Sequence, residues 1–354
     1  ARAVHQSLVY NSQMLVICVG GAVAYNDVWY SSGETAKIHI CKTNSLSSPT
    51  TGGTCDGGSW ADSSDWTSTN STSVSYTTTT SEVSARPYYP YVCSDGGAST
   101  SCSSNTPLGA IWEDAGARND GTGAKDYAQW EGRYYLPSLV YNNQMWVMGG
   151  GGPAYPNDVW YSTDGISWTR QTANAWWAAR YAHSALVFND PSGSGQAMWI
   201  MGGYNAVISF NDVWYSSDGA AWTQQTANAW WAARYGHTSL VYNNQMWVIG
   251  GTPDGSTIYN DVWYSTNGAA WTRQTANAWW EKRYWHTSLV FNSQMWVIGG
   301  GGPADPNDVW YSDDGAAWTR ATTNAWWAAR YAQSSVVFNN QMWVIGGFTG
   351  SVQN

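Results

Sequence analysis

Charged residues are scarce in this chain of 354 residues. Asp, Glu, Lys and Arg make up 11% of it, and the formal net charge is −9. An acidic chain with so few cations lacks the electrostatic footprint of a general nucleic-acid-binding protein. Long hydrophobic runs are missing too, and none approaches the roughly 20 apolar residues of a membrane-spanning helix. No signal peptide is seen, so an exported protein would be represented here by its mature form.

The signatures of common enzymes and metal sites are absent as well. The sequence contains neither a G-x-S-x-G serine elbow nor an HExxH helix. Its five histidines are few, and Glu113, Glu131 and Glu281 are the only glutamates beyond residue 109. The cysteines show no CxxC spacing, and only His39 lies near them, so no metal site is predicted. These absences favour a protein without catalytic residues, metal or cofactor.

What the sequence has instead is 27 Trp, 23 Tyr and an internal repeat. The segment NDVWY begins at Asn26, Asn157, Asn211, Asn260 and Asn307. A Gly doublet also recurs, beginning at Gly149, Gly202, Gly250, Gly299 and Gly346. An arginine opens each unit at Arg2, Arg133, Arg180, Arg234, Arg283 and Arg330. A repeat of roughly 50 residues is typical of architectures that bury their apolar faces against copies of themselves.

The stretch from Arg234 to Trp271 shows how one unit folds. Residues 238–242 and 245–251 read as two apolar strands, Asn260 to Ser265 as a third, and a fourth begins at Trp271. β-branched and aromatic residues fill the strands, and Gly, Asn or Asp stands at each break, as hairpins require. Four short antiparallel strands per unit predict the blade of a β-propeller.

The pattern R-x-x-H-S/T, GG, ND-x-x-Y and W resembles the kelch repeat. The resemblance covers residues 1–34 and 109–354 and implies an all-β, kelch-type β-propeller, with six blades of which the last is incomplete. The sixth unit, from Arg330, supplies two strands without NDVWY. One hypothesis is that a neighbouring copy completes this blade by strand addition, which would be self-assembly.

Residues 35–108 interrupt the third-to-fourth-strand hairpin of blade 1, where insertion is tolerated. This segment is rich in Ser and Thr and resembles small immunoglobulin- or fibronectin-like modules of bacterial surface proteins. It contains four of the five cysteines, and the expected disulfides are Cys41–Cys55 and Cys93–Cys102, although two other pairings are open. Disulfides imply an oxidising compartment, so we expect an extracellular or cell-surface location.

Repeated histidines and aspartates are predicted to be structural. His5, His183, His237 and His286 share one place in the repeat, where Pro137 and Gln333 stand in the other units, and we expect hydrogen bonds between blades. The Asp of NDVWY suits an Asx turn that satisfies its own backbone. The same turn is expected at Asp164, Asp218 and Asp314, whose hairpins resemble a shortened Asp-box of sialidase-like propellers.

Arginine and aromatic residues supply the candidate ligand site. By resemblance to the kelch family, arginines at the start of the inner strand can line the central opening. The candidate ligand residues are Arg2, Arg133, Arg180, Arg234, Arg283, Arg330, Tyr181, Tyr235, Tyr284 and Trp285. Guanidinium and aromatic groups together suit carboxylates, sugars or peptides. Trp285 replaces a small residue and would make this face asymmetric, and one Trp of each Trp–Trp pair is expected to fill the gap between blades.

These observations predict a non-catalytic extracellular protein that binds a glycan or protein at a cell surface, as an adhesin or surface-appendage component. The alternative is a secreted carbohydrate-active enzyme, sialidase-like or galactose-oxidase-like. A galactose-oxidase-like copper site would need a Tyr–Cys crosslink and additional His ligands, whereas Cys18 is the only propeller cysteine and no His cluster accompanies it.

Overall fold

The computed structural model describes the strands up to residue 114 and residues 130–152, 156–303 and 306–349. The first strands are β1 (Val4–Tyr10), β2 (Gln13–Val19), β3 (Val28–Ser31), β4 (Ala36–Cys41), β5 (Leu46–Ser47), β6 (Thr54–Cys55), β7 (Tyr89–Gly96), β8 (Ser99–Cys102) and β9 (Trp112–Asp114). Those of the next two repeats are β10 (Ser138–Tyr141), β11 (Gln144–Met148), β12 (Val159–Ser162), β13 (Thr169–Thr172), β14 (Ser184–Asn189), β15 (Gln196–Met201), β16 (Val213–Ser216) and β17 (Thr223–Thr226). The last are β18 (Thr238–Tyr242), β19 (Gln245–Gly251), β20 (Tyr259–Ser265), β21 (Thr272–Thr275), β22 (Thr287–Phe291), β23 (Gln294–Ile298), β24 (Val309–Ser312), β25 (Thr319–Thr322), β26 (Ser334–Phe338) and β27 (Gln341–Ile345).

The repeats form separate antiparallel sheets in which neighbouring strands follow chain order. Four-stranded sheets are built by β10–β13, β14–β17, β18–β21 and β22–β25, and β26 pairs with β27. A further four-stranded sheet has the order β1, β2, β3, β9. The predicted four-stranded unit is therefore confirmed in the repeats that the structure describes throughout.

The first strand of each repeat lies at the centre of the unit that contains the repeats. β1 contacts β10, and the contacts continue through β14, β18, β22 and β26 back to β1. These six inner strands therefore close a circle, which is the arrangement of a β-propeller. The number of complete blades stays a prediction, because two strands of the last sheet are described.

Tight turns set the register of the sheets that begin with β10, β18, β22 and β26. The hairpin between their first and second strands turns through Asn142–Asn143, Asn243–Asn244, Asn292–Ser293 or Asn339–Asn340, and every one of these residues has φ between 48° and 58°. Two successive positive φ values define the type I′ turn, which asparagine tolerates and which matches strand twist. The Asx turns predicted in the other hairpin are also present, since Oδ1 of Asp164 accepts bonds from the amides of Ile166 and Ser167 at 2.8 and 2.7 Å.

Tryptophan packs the space between blades. The second Trp of each pair is buried at Trp177, Trp231 and Trp280, as predicted. Trp231 meets Trp271 edge to face at 5.8 Å, and Trp280 meets Trp318 in the same way. Such aromatic pairs contribute about 0.5–1.5 kcal/mol each beyond the area they bury. The cores are thus formed between adjacent sheets, so each blade depends on its neighbours.

Two histidines join neighbouring blades as expected. Nε2 of His237 lies 2.8 Å from Oγ of Ser184, and Nε2 of His286 lies 3.0 Å from Oγ1 of Thr238. The structure corrects the alignment of the second repeat, because Leu136 takes the histidine place against Gly150. Pro137 therefore stands where other repeats have the hydroxyl residue, and His183 finds no such partner.

The chain divides into two compact units. One contains Ala1–Trp29 and Asp114–Asn354, and the other is Tyr30–Glu113. The second unit contains a sheet of order β4, β7, β8 and the pair β5–β6. Cys93 and Cys102 face each other in the β7–β8 register, whereas Cys41 is opposite Tyr89 and Cys55 opposite Leu46. The immunoglobulin-like assignment, the bounds 35–108 and both disulfides stay predictions.

Candidate functional site

The arginines predicted to line a ligand face are instead structural in the four fully described repeats. Arg133, Arg180, Arg234 and Arg283 are at most 2% exposed. Each guanidinium forms a bidentate salt bridge with the aspartate of NDVWY. In one of them, Nη1 of Arg234 donates to Oδ1 of Asp261 at 2.7 Å and Nη2 donates to Oδ2 at 2.9 Å. Nη1 also donates to the carbonyl of the Gly doublet. These arginines are therefore unavailable to a ligand, which corrects the sequence prediction.

The same bonds correct the role of the aspartates. Asp158, Asp212, Asp261 and Asp308 pair with arginine rather than with their own backbone. Their Oδ2 atoms also accept a bond from the indole two residues later, at 2.6–2.8 Å. One carboxylate thus joins the start of the inner strand to the third strand.

Arg330 differs from the other four. It is partly exposed, and its described bonds go to the carbonyls of Ala328 at 3.1 Å and Gly346 at 2.7 Å. Burial lowers the pKa of its guanidinium. Arg2 lies outside the described residues.

Tyrosines that follow the arginines position the candidate site. Each of these tyrosines pairs through backbone with a residue that follows the second strand of its own blade. The pairs are Tyr134 with Gly151, Tyr181 with Tyr204, Tyr235 with Thr252, Tyr284 with Gly301 and Tyr331 with Phe348. The next residue in each repeat has a left-handed backbone, with φ of 52–61° at Tyr135, Ala182, Gly236, Trp285 and Ala332.

These five left-handed residues form a chain of backbone hydrogen bonds from blade to blade. The amide of Ala182 donates to the carbonyl of Tyr135 at 2.8 Å, Gly236 to Ala182 at 3.1 Å, Trp285 to Gly236 at 2.7 Å and Ala332 to Trp285 at 2.8 Å. Positive φ is uncommon for a bulky residue such as Trp. The bonds on either side hold Trp285 in this conformation at the end of the central channel.

Two aromatic rings meet across this opening. Tyr135 and Trp285 belong to the second and fifth repeats, and their rings stack with centroids 4.0 Å apart and planes 22° apart. The equivalent residues of the intervening repeats are small. The stacked pair therefore covers the channel, and we call it the mouth pair.

Further tyrosines surround the mouth pair. Tyr181 stacks beside Tyr135 at 6.2 Å, and Tyr235 lies 6.0 Å from Trp285. Tyr204 stacks on Tyr235 at 5.0 Å. The surrounding aromatic residues are Tyr134, Tyr181, Tyr204, Tyr235, Tyr284, Tyr331 and Phe348, all half-buried. We call them the tyrosine collar.

Tyr135 and Tyr235 are uncharged at neutral pH. Burial, followed by the nearby phenols of Tyr331, Tyr134, Tyr284 and Tyr235, raises the pKa of Tyr135 to about 12. Burial is also the largest cause that raises the pKa of Tyr235. Phenols that stay protonated both donate and accept hydrogen bonds. The collar therefore offers aromatic faces and neutral hydroxyls together.

A cavity of about 190 Å³ lies along the inner strands and is lined by hydroxyl groups, imidazoles and the mouth pair. Several buried polar atoms here have no partner among the described residues, including the Oγ of Ser138 and Ser239 and both ring nitrogens of His183. Burial, then Arg180 and His237, holds the pKa of His183 well below its usual value, so its ring is neutral. A neutral, hydroxyl-lined cavity suits water or another uncharged polar molecule.

The predicted site residues thus fall into two groups. Tyr181, Tyr235, Tyr284 and Trp285 come together at the mouth, whereas the buried arginines do not reach it. Sequence reasoning missed Tyr135, although it departs from the repeat at the same place as Trp285. Comparison of that one position in all repeats would have found the pair.

The described residues show few other candidates. None of the lining residues in the described repeats carries a carboxylate. The described ranges contain no group of three or more His, Cys, Asp or Glu side chains suited to a metal ion. No helix that could span a bilayer occurs in the described part of the chain.

Comparison with known proteins agrees with the repeat. Residues 136–349 match the family described as the KLHDC2/KLHL20/DRC7 Kelch-repeats domain. A comparison with curated proteins gives no significant match. The matched family covers more than half of the chain and coincides with the repeats whose sheets, glycine doublets and arginine–aspartate pairs are described above. The chain belongs to the kelch-repeat family of β-propellers.

Proposed function

We propose that this protein is a non-catalytic binding protein whose mouth holds a segment of a protein partner. The observation that carries the proposal is the mouth pair, Tyr135 and Trp285, surrounded by the tyrosine collar. Kelch-repeat domains bind protein partners and are usually non-catalytic, which favours this reading. Tyr and Trp are the residues that most often dominate binding at protein interfaces.

The chemistry of the mouth favours an uncharged, extended segment. Neutral phenols can bond to peptide amides from either side. The loop that continues from Tyr204 exposes Val207 and Ile208 as an apolar rim. A segment with aromatic or aliphatic side chains and an extended backbone would contact the rings of the mouth pair, the phenol hydroxyls and the apolar rim.

The test is selection of peptides from a phage-displayed random library on the immobilised protein. We expect Trp285→Ala to weaken a selected peptide by about 30-fold, equal to roughly 2 kcal/mol for an interface anchor. Trp326→Ala, which removes an exposed indole away from the mouth, is the matched control and should leave binding unchanged. Equal affinity of wild type and Trp285→Ala for every selected peptide would refute the proposal.

We further propose that the protein works at a cell surface, as an adhesin or surface-appendage component. Support comes from the low charge of the chain and from four cysteines within Tyr30–Glu113, two of which face each other in one register. Thiol titration of the unreduced, denatured protein should find one free thiol, from Cys18. Five free thiols would contradict the disulfides and remove the main argument for an oxidising location.

We also propose a propeller of six blades, supported by the closed circle of six inner strands. Completion of the sixth blade by a neighbouring copy stays a hypothesis, checked by the oligomeric state in solution. A carbohydrate-active enzyme is the less favoured function, since acid–base chemistry on a sugar needs carboxylates and the described lining of the cavity along the inner strands has none.

A further inference from the structure

Four tryptophans point into solvent although tryptophan is a residue that stabilises cores. They are the first members of the Trp–Trp pairs, Trp176, Trp230, Trp279 and Trp326, and their exposed fractions are 72% to 106%. We call them the linker tryptophans, because each lies between the outermost strand of one blade and the inner strand of the next. The second Trp of the first three pairs is fully buried, so only the first is left without a packing role.

The backbone around each linker tryptophan is fixed by the asparagine of NDVWY. Nδ2 of Asn157 donates to the carbonyls of Ala175 at 2.9 Å and Trp177 at 3.2 Å, and the amide of Ala175 donates to the carbonyl of Asn157 at 2.9 Å. Trp176 lies between the two bonded carbonyls. The same three bonds recur around Trp230, Trp279 and Trp326. An aromatic ring on a fixed backbone loses less entropy when it binds a ligand.

The surroundings of these rings are polar, and charged residues directly follow the Trp pair in one linker only. An exposed asparagine stands two residues before each of them, at Asn174, Asn228, Asn277 and Asn324. Alanines follow the Trp pair in three of the four linkers, and Glu281 and Lys282 replace them in the remaining one. An aromatic face binds apolar C–H groups, and a neighbouring amide donates and accepts hydrogen bonds. This combination suits a neutral sugar, whose ring has apolar C–H faces and a rim of hydroxyls.

Charge and repetition narrow the ligand further. A chain of net charge −9 is poorly matched to anionic lipid or anionic polymer, so a neutral polysaccharide fits it better than an anionic one. Four near-identical sites on successive blades suit a ligand that itself repeats. We propose that the linker tryptophans together bind a neutral polysaccharide, at a site separate from the mouth and independent of the function proposed for it.

Affinity electrophoresis in gels that contain dextran, laminarin or mannan tests this proposal. We expect at least one of these neutral polysaccharides to retard the wild type. The variant with all four linker tryptophans changed to Ala should migrate as in an empty gel. A variant that keeps only Trp230 should lose about 10²- to 10⁴-fold in affinity, since that is the usual gain from multivalent attachment. Trp285→Ala is the matched control and should bind as wild type.

Two further measurements distinguish a sugar-binding site from a surface that binds apolar material non-specifically. Changing the four exposed asparagines to Ala should weaken polysaccharide binding while the rings remain, and an unchanged melting temperature would show that every variant is folded. Retardation by none of the three polysaccharides, retention of binding in the fourfold Trp variant, or binding to phosphatidylcholine vesicles instead would each overturn the proposal. Loss of peptide selection at the mouth would leave it unaffected.

Discussion

Removal of Asp261 should expose how much the buried arginine–aspartate pairs contribute to the propeller. Asp261→Ala leaves the fully buried guanidinium of Arg234 without its counter-charge and the Nε1–H of Trp263 without its acceptor at 2.7 Å. Loss of one partner of a buried ion pair costs about 3–5 kcal/mol. With an unfolding entropy of roughly 0.6 kcal/mol per degree for a domain of this size, the melting temperature should fall by about 5–8 °C.

Arg330 provides the matched control for this measurement. Its described bonds are to neutral carbonyls, so Arg330→Met should cost only about 1 kcal/mol. The double variant Arg234→Met/Asp261→Leu should recover most of the loss, because a buried pair replaced by apolar residues is often neutral in stability. The melting temperatures of the three variants are compared by calorimetry. An Asp261→Ala variant as stable as Arg330→Met, or a double variant no better than the single one, would refute the reasoning.

Two further predictions concern the centre of the blades. Burial, followed by Arg234, lowers the pKa of His237 from about 6.5 to about 3, so the unfolded chain binds a proton that the folded chain excludes between these pH values. Stability should therefore fall as pH decreases below 6.5, by up to about 1.4 kcal/mol per pH unit for each such histidine. His237→Gln, which introduces the residue type found at Gln333, should reduce the fall in melting temperature between pH 6.5 and 4. An unchanged dependence of the melting temperature on pH would contradict this. Gly219→Ala would put a Cβ 2.3 Å from Trp146 and should cost about 1–3 kcal/mol more than Gly193→Ala, where the positive φ is similar but the space is open. Equal unfolding free energies of the two Ala variants would show that the backbone conformation, rather than the indole, requires glycine at 219.

The fold was predictable because its information is local and repeated. Each blade needs a glycine doublet, an Asn turn and alternating apolar residues, and all of these stand within about 50 residues of sequence. Repetition also indicated which histidines and hairpin aspartates were structural. The alignment of the second repeat was harder to predict, because Pro137 stands close to the histidine position in the sequence. The contact of Leu136 with Gly150 shows that Leu136 occupies that position.

The site was harder to predict because its contacts are made between repeats or between distant strands. Arg180 and Asp212 are 32 residues apart and meet only after the second and third strands have paired. A sequence shows that an arginine recurs, yet it does not show whether that arginine faces a channel or a carboxylate. Likewise, Tyr135 and Trp285 come from different blades, and only ring closure brings them together.

The left-handed residues at the mouth have a consequence for how this protein can change. Five positions with almost the same backbone, 135, 182, 236, 285 and 332, carry Tyr, Ala, Gly, Trp and Ala. Because backbone bonds from blade to blade fix the conformation, the side chain at each position can be exchanged without rebuilding the scaffold. The five side chains at these positions therefore determine what the mouth binds, while the backbone that carries them stays the same. A library of variants at these positions would give propellers with new partners.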